Sequence, residues 1–231
     1  MTEPATSPHI SAAPIPPRLA LMLSIVAGLT DLTGFLTLGH VFTAHVTGNI
    51  ALLASDLLRD QALSVPQLLV VPVFAVAVAA WMLLARACGT RALPAMMWVQ
   101  FLLLVAVCVT AGSSVLHAQA TAFAAAFAVC AMASHFALSH VIQSKIPATA
   151  TMTVNLTNVV VMLCERRARG SSTTDHRARL RQSASLVAGF FCGCLIAAIA
   201  VNTWGRHAWL LPMTLAGVVA LLCEREHRRA H

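Results

Sequence analysis

The chain has 231 residues, of which 58% are hydrophobic and only 10% are charged, and its formal net charge is +7. Ordinary soluble domains carry about 25% charged residues, so a soluble class is excluded and an all-α polytopic membrane protein is predicted. The basic balance does not favour a nucleic-acid partner. Six arginines cluster in one connector, a pattern typical of a cytoplasmic membrane flank: Arg166, Arg167, Arg169, Arg177, Arg179 and Arg181.

Six apolar runs dominate the chain after residues 1–17, a Pro-, Ala-, Ser- and Thr-rich segment that we expect to be a disordered cytoplasmic tail. Each run is long enough, or nearly so, to cross about 30 Å of hydrocarbon as a helix. The runs are 19–39, 66–88, 93–112, 119–141, 182–203 and 208–223. We therefore predict a single membrane domain over 18–223, with a basic cytoplasmic loop at 165–181 and a cytoplasmic tail at 224–231.

Two shorter apolar runs, 46–58 and 152–164, interrupt this series. At 1.5 Å per residue, thirteen helical residues reach only about 20 Å, which is too short to span. Each run begins with Thr and Asn and follows a turn-rich connector. The pattern predicts two half-helices whose Thr and Asn side chains cap free N–H groups.

The two short runs also indicate an internal duplication, since Thr47-Gly48-Asn49-Ile50 matches Thr153-Val154-Asn155-Leu156. Both halves, about 18–112 and 119–223, have the order long, short, long, long. If the short runs are re-entrant, three spans per half make the repeat inverted, as in many secondary transporters. Only Arg59 and Arg206 then lie outside, which the positive-inside rule favours over eight spans. The N- and C-termini are cytoplasmic in either case.

The stretch AGLTDLTGFLTLGHVFTAHVTGNIALLA, residues 27–54, resembles the N-terminal signature of the YoaK-type bacterial membrane proteins, a family of unknown function. That signature has a glycine and an acidic residue in the first helix and a T-G-N at the start of the next segment. Where the family's second half has G-x-Q-N and T-G, this chain has Ala133 to Phe136 and Thr153-Val154-Asn155. The resemblance implies a multi-pass protein of the bacterial inner membrane and supplies no activity.

Asp31 is the strongest functional candidate because it lies near the middle of the first apolar run. A charged side chain at mid-membrane costs roughly 2.5–3.5 kcal/mol on insertion scales, so it should face a partner or a water-filled cavity. Two interpretations stay open. Asp31 is either a protonatable group or cation ligand on a transport path, or a structural acid bonded to Thr30, Asn49 or a facing helix. Small residues share its helix face: Ser24, Ala27, Gly28 and Gly34.

His135 occupies the related place in the second half, either as a proton-relay partner of Asp31 or as a core histidine. We expect His40, His45 and His140 to be interfacial. The starts of the two half-helices could also hold an anion or another ligand. The ligand candidates there are Thr47, Gly48, Asn49, Thr153, Asn155 and Asn158.

These patterns favour a small-molecule secondary transporter or permease, with proton coupling as an option and an unidentified substrate. The rival interpretation is a structural or chaperone-like membrane protein. An enzyme is not expected, because the sequence lacks a nucleophile–base set, a haem or metal pair and a nucleotide loop. Besides the lipid bilayer, a homodimer through the G-x-x-x-G of 189–193 is one option; packing within the chain is the other. We expect no cofactor and no metal.

Overall fold

The computed structural model describes residues 15–59, 64–112, 117–141, 152–169 and 174–230, and the regular elements in these ranges are all helices. This confirms the all-α prediction. The helices are α1 (Pro17–Thr37), α2 (Val46–Leu58), α3 (Val65–Cys88), α4 (Ala92–Gly112), α5 (His117–Val141), α6 (Met152–Arg169), α7 (Thr174–Trp204) and α8 (Leu210–Ala230). Short 3₁₀ turns, Gly89–Arg91 and Gly205–Trp209, join α3 to α4 and α7 to α8.

Four helical stretches in the described ranges are long and apolar enough to cross a membrane: Pro17–Thr37, Val65–Ala111, Gln119–Val141 and Asp175–Arg229. The second and fourth contain 47 and 55 residues, so each is far longer than one crossing needs. The 3₁₀ turns divide them, and Gly89 and Gly205 take positive φ there, which L side chains rarely adopt. The chain is thus a polytopic membrane protein, and the residues that the structure describes form six long helices and two short apolar ones.

The basic connector differs from its prediction. Of the predicted loop 165–181, residues 165–169 belong to α6 and residues 174–181 belong to α7. The physical reason is composition: Arg, Glu and Ala favour helix, so both helices continue beyond their apolar parts. The predicted tail 224–231 likewise extends α8 as far as Ala230, with an Arg228–Glu224 pair at i,i+4 spacing. Most of the predicted N-terminal tail, residues 1–14, lies outside the described residues.

One end of the bundle gathers the end of α1, the end of α4 and the turn between α7 and α8. The Trp209 indole N–H donates to Thr37 Oγ1 at 3.0 Å, and the Arg206 guanidinium donates to the Ala111 carbonyl at 3.3 Å. At the opposite end, Arg18 at the start of α1 pairs with Glu226 in α8. The N-terminal end of α1 and the C-terminal end of α8 therefore lie on the same side of the bundle.

The start of α3 lies at the same end of the bundle as the end of α1, because Val41, just after α1, packs with Val70 of α3. Helix α2 also finishes there, since Gln67 Nε2 donates to Asp56 Oδ2 at 2.8 Å. Its start, however, lies at the level of Asp31 inside the bundle, through a contact with His45. Helix α2 therefore runs from the interior of the bundle back to the end at which α1 finishes.

Helices α1 and α7 come from different halves of the chain and touch at backbone distance. A Cβ atom on Gly28 would lie 2.1 Å from the Phe190 carbonyl oxygen, and one on Gly193 would lie 2.5 Å from the Ile25 carbonyl oxygen. Ser24 Oγ donates to the Leu186 carbonyl at 2.6 Å in the same contact. The G-x-x-x-G of α7 thus packs against α1 of its own chain, and a dimer would have to use another surface.

Candidate functional site

Asp31 accepts hydrogen bonds from the connector that folds back between α1 and α2. Its Oδ1 accepts the backbone N–H groups of Thr43 at 2.8 Å and Ala44 at 2.7 Å, and its Oδ2 lies 2.5 Å from Nδ1 of His45. These partners replace the predicted ones, because Thr30 bonds the Val26 carbonyl of its own helix instead. A carboxylate deep in the bundle is stabilised by N–H donors that the connector brings to it.

His45 forms the exposed half of this pair. The Asp31 side chain is 4% exposed, whereas the His45 side chain is 38% exposed. The hydrogen bond to Asp31 raises the pKa of His45 above its ordinary value of 6.5, and Coulombic attraction to the same carboxylate adds to the increase while burial opposes it. His45 lies in the connector, outside the long helices. The expectation that it is only an interfacial residue does not fit this contact.

Asn49 does not cap α2 in the way that the sequence suggested. The helix begins at Val46 with His45 at the N-cap, and no side chain makes a cap hydrogen bond there. Asn49 lies inside the first turn of α2 and is buried. Its side chain binds the connector: Oδ1 accepts the Phe42 N–H at 2.8 Å, and Nδ2 donates to the Phe42 carbonyl at 2.6 Å. Both polar atoms of the amide are thus used to fix the backbone of Phe42.

A pocket of about 380 Å³ lies beside the Asp31–His45 pair. Its walls come from α1, the connector, the first turn of α2 and the middle of α7: Asp31, Leu32, Phe42, His45, Thr47, Gly48, Phe190 and Cys194. The His45 ring stands edge-to-face against Phe42 and Phe190, with centroids 6.0 Å and 5.5 Å away. Three predicted site residues, Asp31, Thr47 and Gly48, therefore line one cavity.

His135 belongs to a different polar contact. It is 1% exposed in α5, and its Nε2 lies 2.9 Å from the amide nitrogen of Gln100 in α4, which is also 1% exposed. Gln100 donates this bond, so Nε2 of His135 accepts it. The structure thus gives Asp31 and His135 separate partners. Gln100 was not among the predicted site residues, although a lone amide inside the apolar run 93–112 is a signal of a buried polar contact.

The second short helix buries Asn155 and leaves Thr153 exposed, while Asn158 is half-buried. These residues lie in α6, apart from the pocket lined by Asp31. The connector before α6, residues 142–151, lies outside the described residues. Within the described ranges, His, Cys, Asp and Glu do not gather in groups of three or more that would suit a metal ion.

A family model described as "Protein of unknown function (DUF1275)" matches residues 19–222 of this chain. The chain belongs to the DUF1275 family. It is also similar to the UPF0700 transmembrane protein YoaK of Bacillus subtilis (strain 168), with 50% identity over 44 residues. This match spans 19% of the chain and 20% of that relative. The predicted resemblance to YoaK-type proteins is confirmed, and no solved structure matches this DUF1275 protein.

Proposed function

We propose that this DUF1275 protein is a small-molecule secondary transporter or permease of the inner membrane, coupled to protons. The observation that carries the proposal is the Asp31–His45 pair, which lies beside a pocket and whose acidic member is buried within the apolar helix α1. Asp31 stands fourteen residues after Pro17, or about 21 Å along α1 at 1.5 Å per residue. Ionisable residues at such depth commonly mark substrate or proton pathways.

We infer an inverted internal repeat as support for the proposal, and the helix packing is consistent with one. The two halves can be compared by matching each helix with its counterpart: α1 with α5, α2 with α6, α3 with α7 and α4 with α8. Most of the main helix contacts then have an equivalent contact in the other half. Helix α1 packs against α7 as α5 packs against α3, α1 against α8 as α5 against α4, and α2 against α3 as α6 against α7. Transporters with inverted repeats bind substrate where two such halves meet.

Matching positions in the two short helices add support to the inferred repeat. Each begins one residue before its Thr, at Val46 and Met152, and each buries the Asn in its fourth position. The eleventh residue of each short helix accepts a hydrogen bond from the third residue of the helix that follows it. Gln67 donates to Asp56 in the first half, and His176 Nε2 donates to the Met162 carbonyl at 3.0 Å in the second.

The proposal includes re-entrance of both short helices, from opposite sides of the membrane. With six spans, the bundle end that holds Arg206 is the external side. The end that holds Arg18, Glu226 and the basic start of α7 is cytoplasmic. A reporter fused after Arg59 tests this topology, because a cytoplasmic signal there would exclude re-entrance of α2.

A metabolite thermal-shift screen on the purified protein tests transport directly, since binding to the folded state raises its apparent stability. Each hit is then offered to proteoliposomes that contain a pH-sensitive dye. Substrate entry should acidify the lumen, and Asp31→Asn should abolish the acidification while the protein stays folded. Asp56→Asn is the matched control, because Asp56 lies at the far end of α2 and outside the pocket.

The rival function is a purely structural membrane protein, and one observation favours it. Both oxygens of Asp31 and both polar atoms of the Asn49 amide are already used by the chain itself. Under this interpretation no metabolite stabilises the protein, and Asp31→Asn lowers its melting temperature without changing any flux.

A further inference from the structure

The polar groups that face the pocket differ in what they offer a ligand. Asp31 is the acidic residue of the lining, and its two oxygens already accept bonds from Thr43, Ala44 and His45. His45 uses Nδ1 for Asp31, so Nε2, on the other side of the ring, points away from the carboxylate. Because His45 lines the pocket and is the more exposed partner, its Nε2–H can donate to a ligand when the imidazole is protonated.

The Asp31–His45 pair is therefore a dipole whose negative end is buried and whose positive end faces the pocket. Thr47 and Gly48, in the first turn of α2, line the same cavity and place the positive end of the helix dipole there. The Gly48 N–H donates to the His45 carbonyl at 2.9 Å, so this turn contributes its dipole to the cavity and not a free Gly48 donor. A ligand with a negatively charged acceptor is favoured beside His45, because both oxygens of Asp31 already accept bonds from the chain itself.

Much of the remaining lining of the pocket is hydrocarbon, contributed by Leu32, Phe42 and Phe190. Phe42 is held in place by a stacked contact with Phe35, at a centroid distance of 4.4 Å, and by the bonds from Asn49. The volume of about 380 Å³ is near the lower limit of ligand pockets, which range over about 300–1,000 Å³. The cavity thus suits a small ligand with one apolar body.

We propose that the pocket binds a small organic anion, with one carboxylate or sulfonate head group on His45 and an apolar body against Phe42 and Phe190. This inference rests on the proposed transport function and names its substrate class. Transport would carry the anion together with one proton held by His45. The site then has one net negative charge both when anion and proton are bound and when both have left, so the cycle adds no charge to the apolar interior.

Three probes of similar size and different charge test this class: benzenesulfonate, benzyltrimethylammonium and benzyl alcohol. Thermal shifts of the full-length protein in nanodiscs are measured at pH 6 and pH 8. Benzenesulfonate should stabilise the protein, and its affinity should be higher at pH 6, where His45 is protonated. The other titratable groups that line this cavity are Asp31 from α1 and Cys194 from α7.

His45→Asn should weaken benzenesulfonate binding about tenfold, the loss expected for one charge-assisted hydrogen bond. Its amide keeps a donor for Asp31. The control is His207→Asn, an exposed histidine in the turn between α7 and α8, which should bind as the wild type does. If His45→Asn does not fold, Gly48→Ala serves instead: its Cβ makes ordinary contact with Phe42 at 3.4 Å and narrows the pocket, so binding should weaken at least threefold.

Uptake of radiolabelled benzenesulfonate into proteoliposomes with an acidic exterior separates the two claims. Uptake that needs the pH gradient supports both. Binding of benzenesulfonate without uptake supports the anion class and contradicts the transport function. Stabilisation by benzyltrimethylammonium alone, or by none of the three probes, overturns the anion class. Transport then stands or falls on the metabolite screen.

Discussion

The two halves of this protein share a helical scaffold but differ in the polar groups that they bury. In the first half, a charged pair, Asp31 and His45, lies beside an open pocket. In the second half, a neutral pair, Gln100 and His135, is enclosed between two helices. The scaffold therefore does not dictate the chemistry. The two halves have similar helix packing, and the half that contains the fold-back connector 38–45 has the accessible charge.

Removal of the Asp31 carboxylate from the first half should have the largest effect on stability. Asp31→Ala leaves two buried backbone N–H groups and a histidine without their acceptor, so it should cost about 3–5 kcal/mol. Asp31→Asn keeps one acceptor oxygen and should cost clearly less. Thermal unfolding in detergent measures both. If both variants melted at the temperature of the wild type, the connector would not depend on Asp31.

The second prediction concerns the neutral pair. Gln100→Leu or His135→Leu alone should each cost about 1–3 kcal/mol, because the remaining partner is buried without its bond. The double variant should cost less than the sum, since it removes both the donor and the acceptor of the bond between Gln100 and His135. A double-mutant cycle on melting temperature measures this. Additive losses would mean that the two side chains do not depend on each other.

Asn49→Ala provides a third test, because it removes both bonds that hold Phe42. We expect a loss of about 1–3 kcal/mol, together with weaker ligand binding as Phe42 loses its fixed position. The control is Asn202→Ala, which changes an exposed asparagine near the end of α7 and should be nearly neutral. A stable Asn49→Ala variant with normal binding would mean that Phe42 is held by stacking alone.

The smallest effect is the pH dependence of the charged pair. Since Asp31 raises the pKa of folded His45 above 6.5, the pair's stabilisation is complete below about pH 6.5 and is lost as pH rises through the higher folded pKa. The melting temperature of the wild type should fall towards that of His45→Asn over this range. A constant difference between the two proteins from pH 6 to pH 9 would contradict it.

Much of the fold was predictable from the sequence, because lipid forces apolar runs into helices and their lengths separate spans from half-helices. The predicted run 66–88 compares with an observed helix from Val65 to Cys88, and 152–164 with one from Met152 to Arg169. The functional site was less predictable from the sequence than the fold. Asp31 could be identified from its cost in the membrane, and Thr47 and Gly48 from their position.

His45, Phe42 and Phe190 could not be assigned to the site from the sequence. His45 reaches Asp31 only because the connector folds back, and helical periodicity does not report such a path. Phe190 lies at the pocket because the glycines of α7 bring it to backbone distance from Gly28. The role of Asn49 was wrong for a related reason: position at a helix start suggested a cap, whereas the buried side chain binds the residue seven positions earlier.

The sequence separations within the Asp31 cluster bear on how the protein is made. The partners of Asp31 lie only 12 to 14 positions further along the chain, whereas α1 finds its main helical neighbour about 160 positions later, as in the bond from Ser24 to Leu186. During synthesis, the first helix must wait in the membrane until most of the protein has emerged from the ribosome. Asp31 need not wait for α7, because the N–H groups that bind its carboxylate lie only 12 to 14 residues further along the chain.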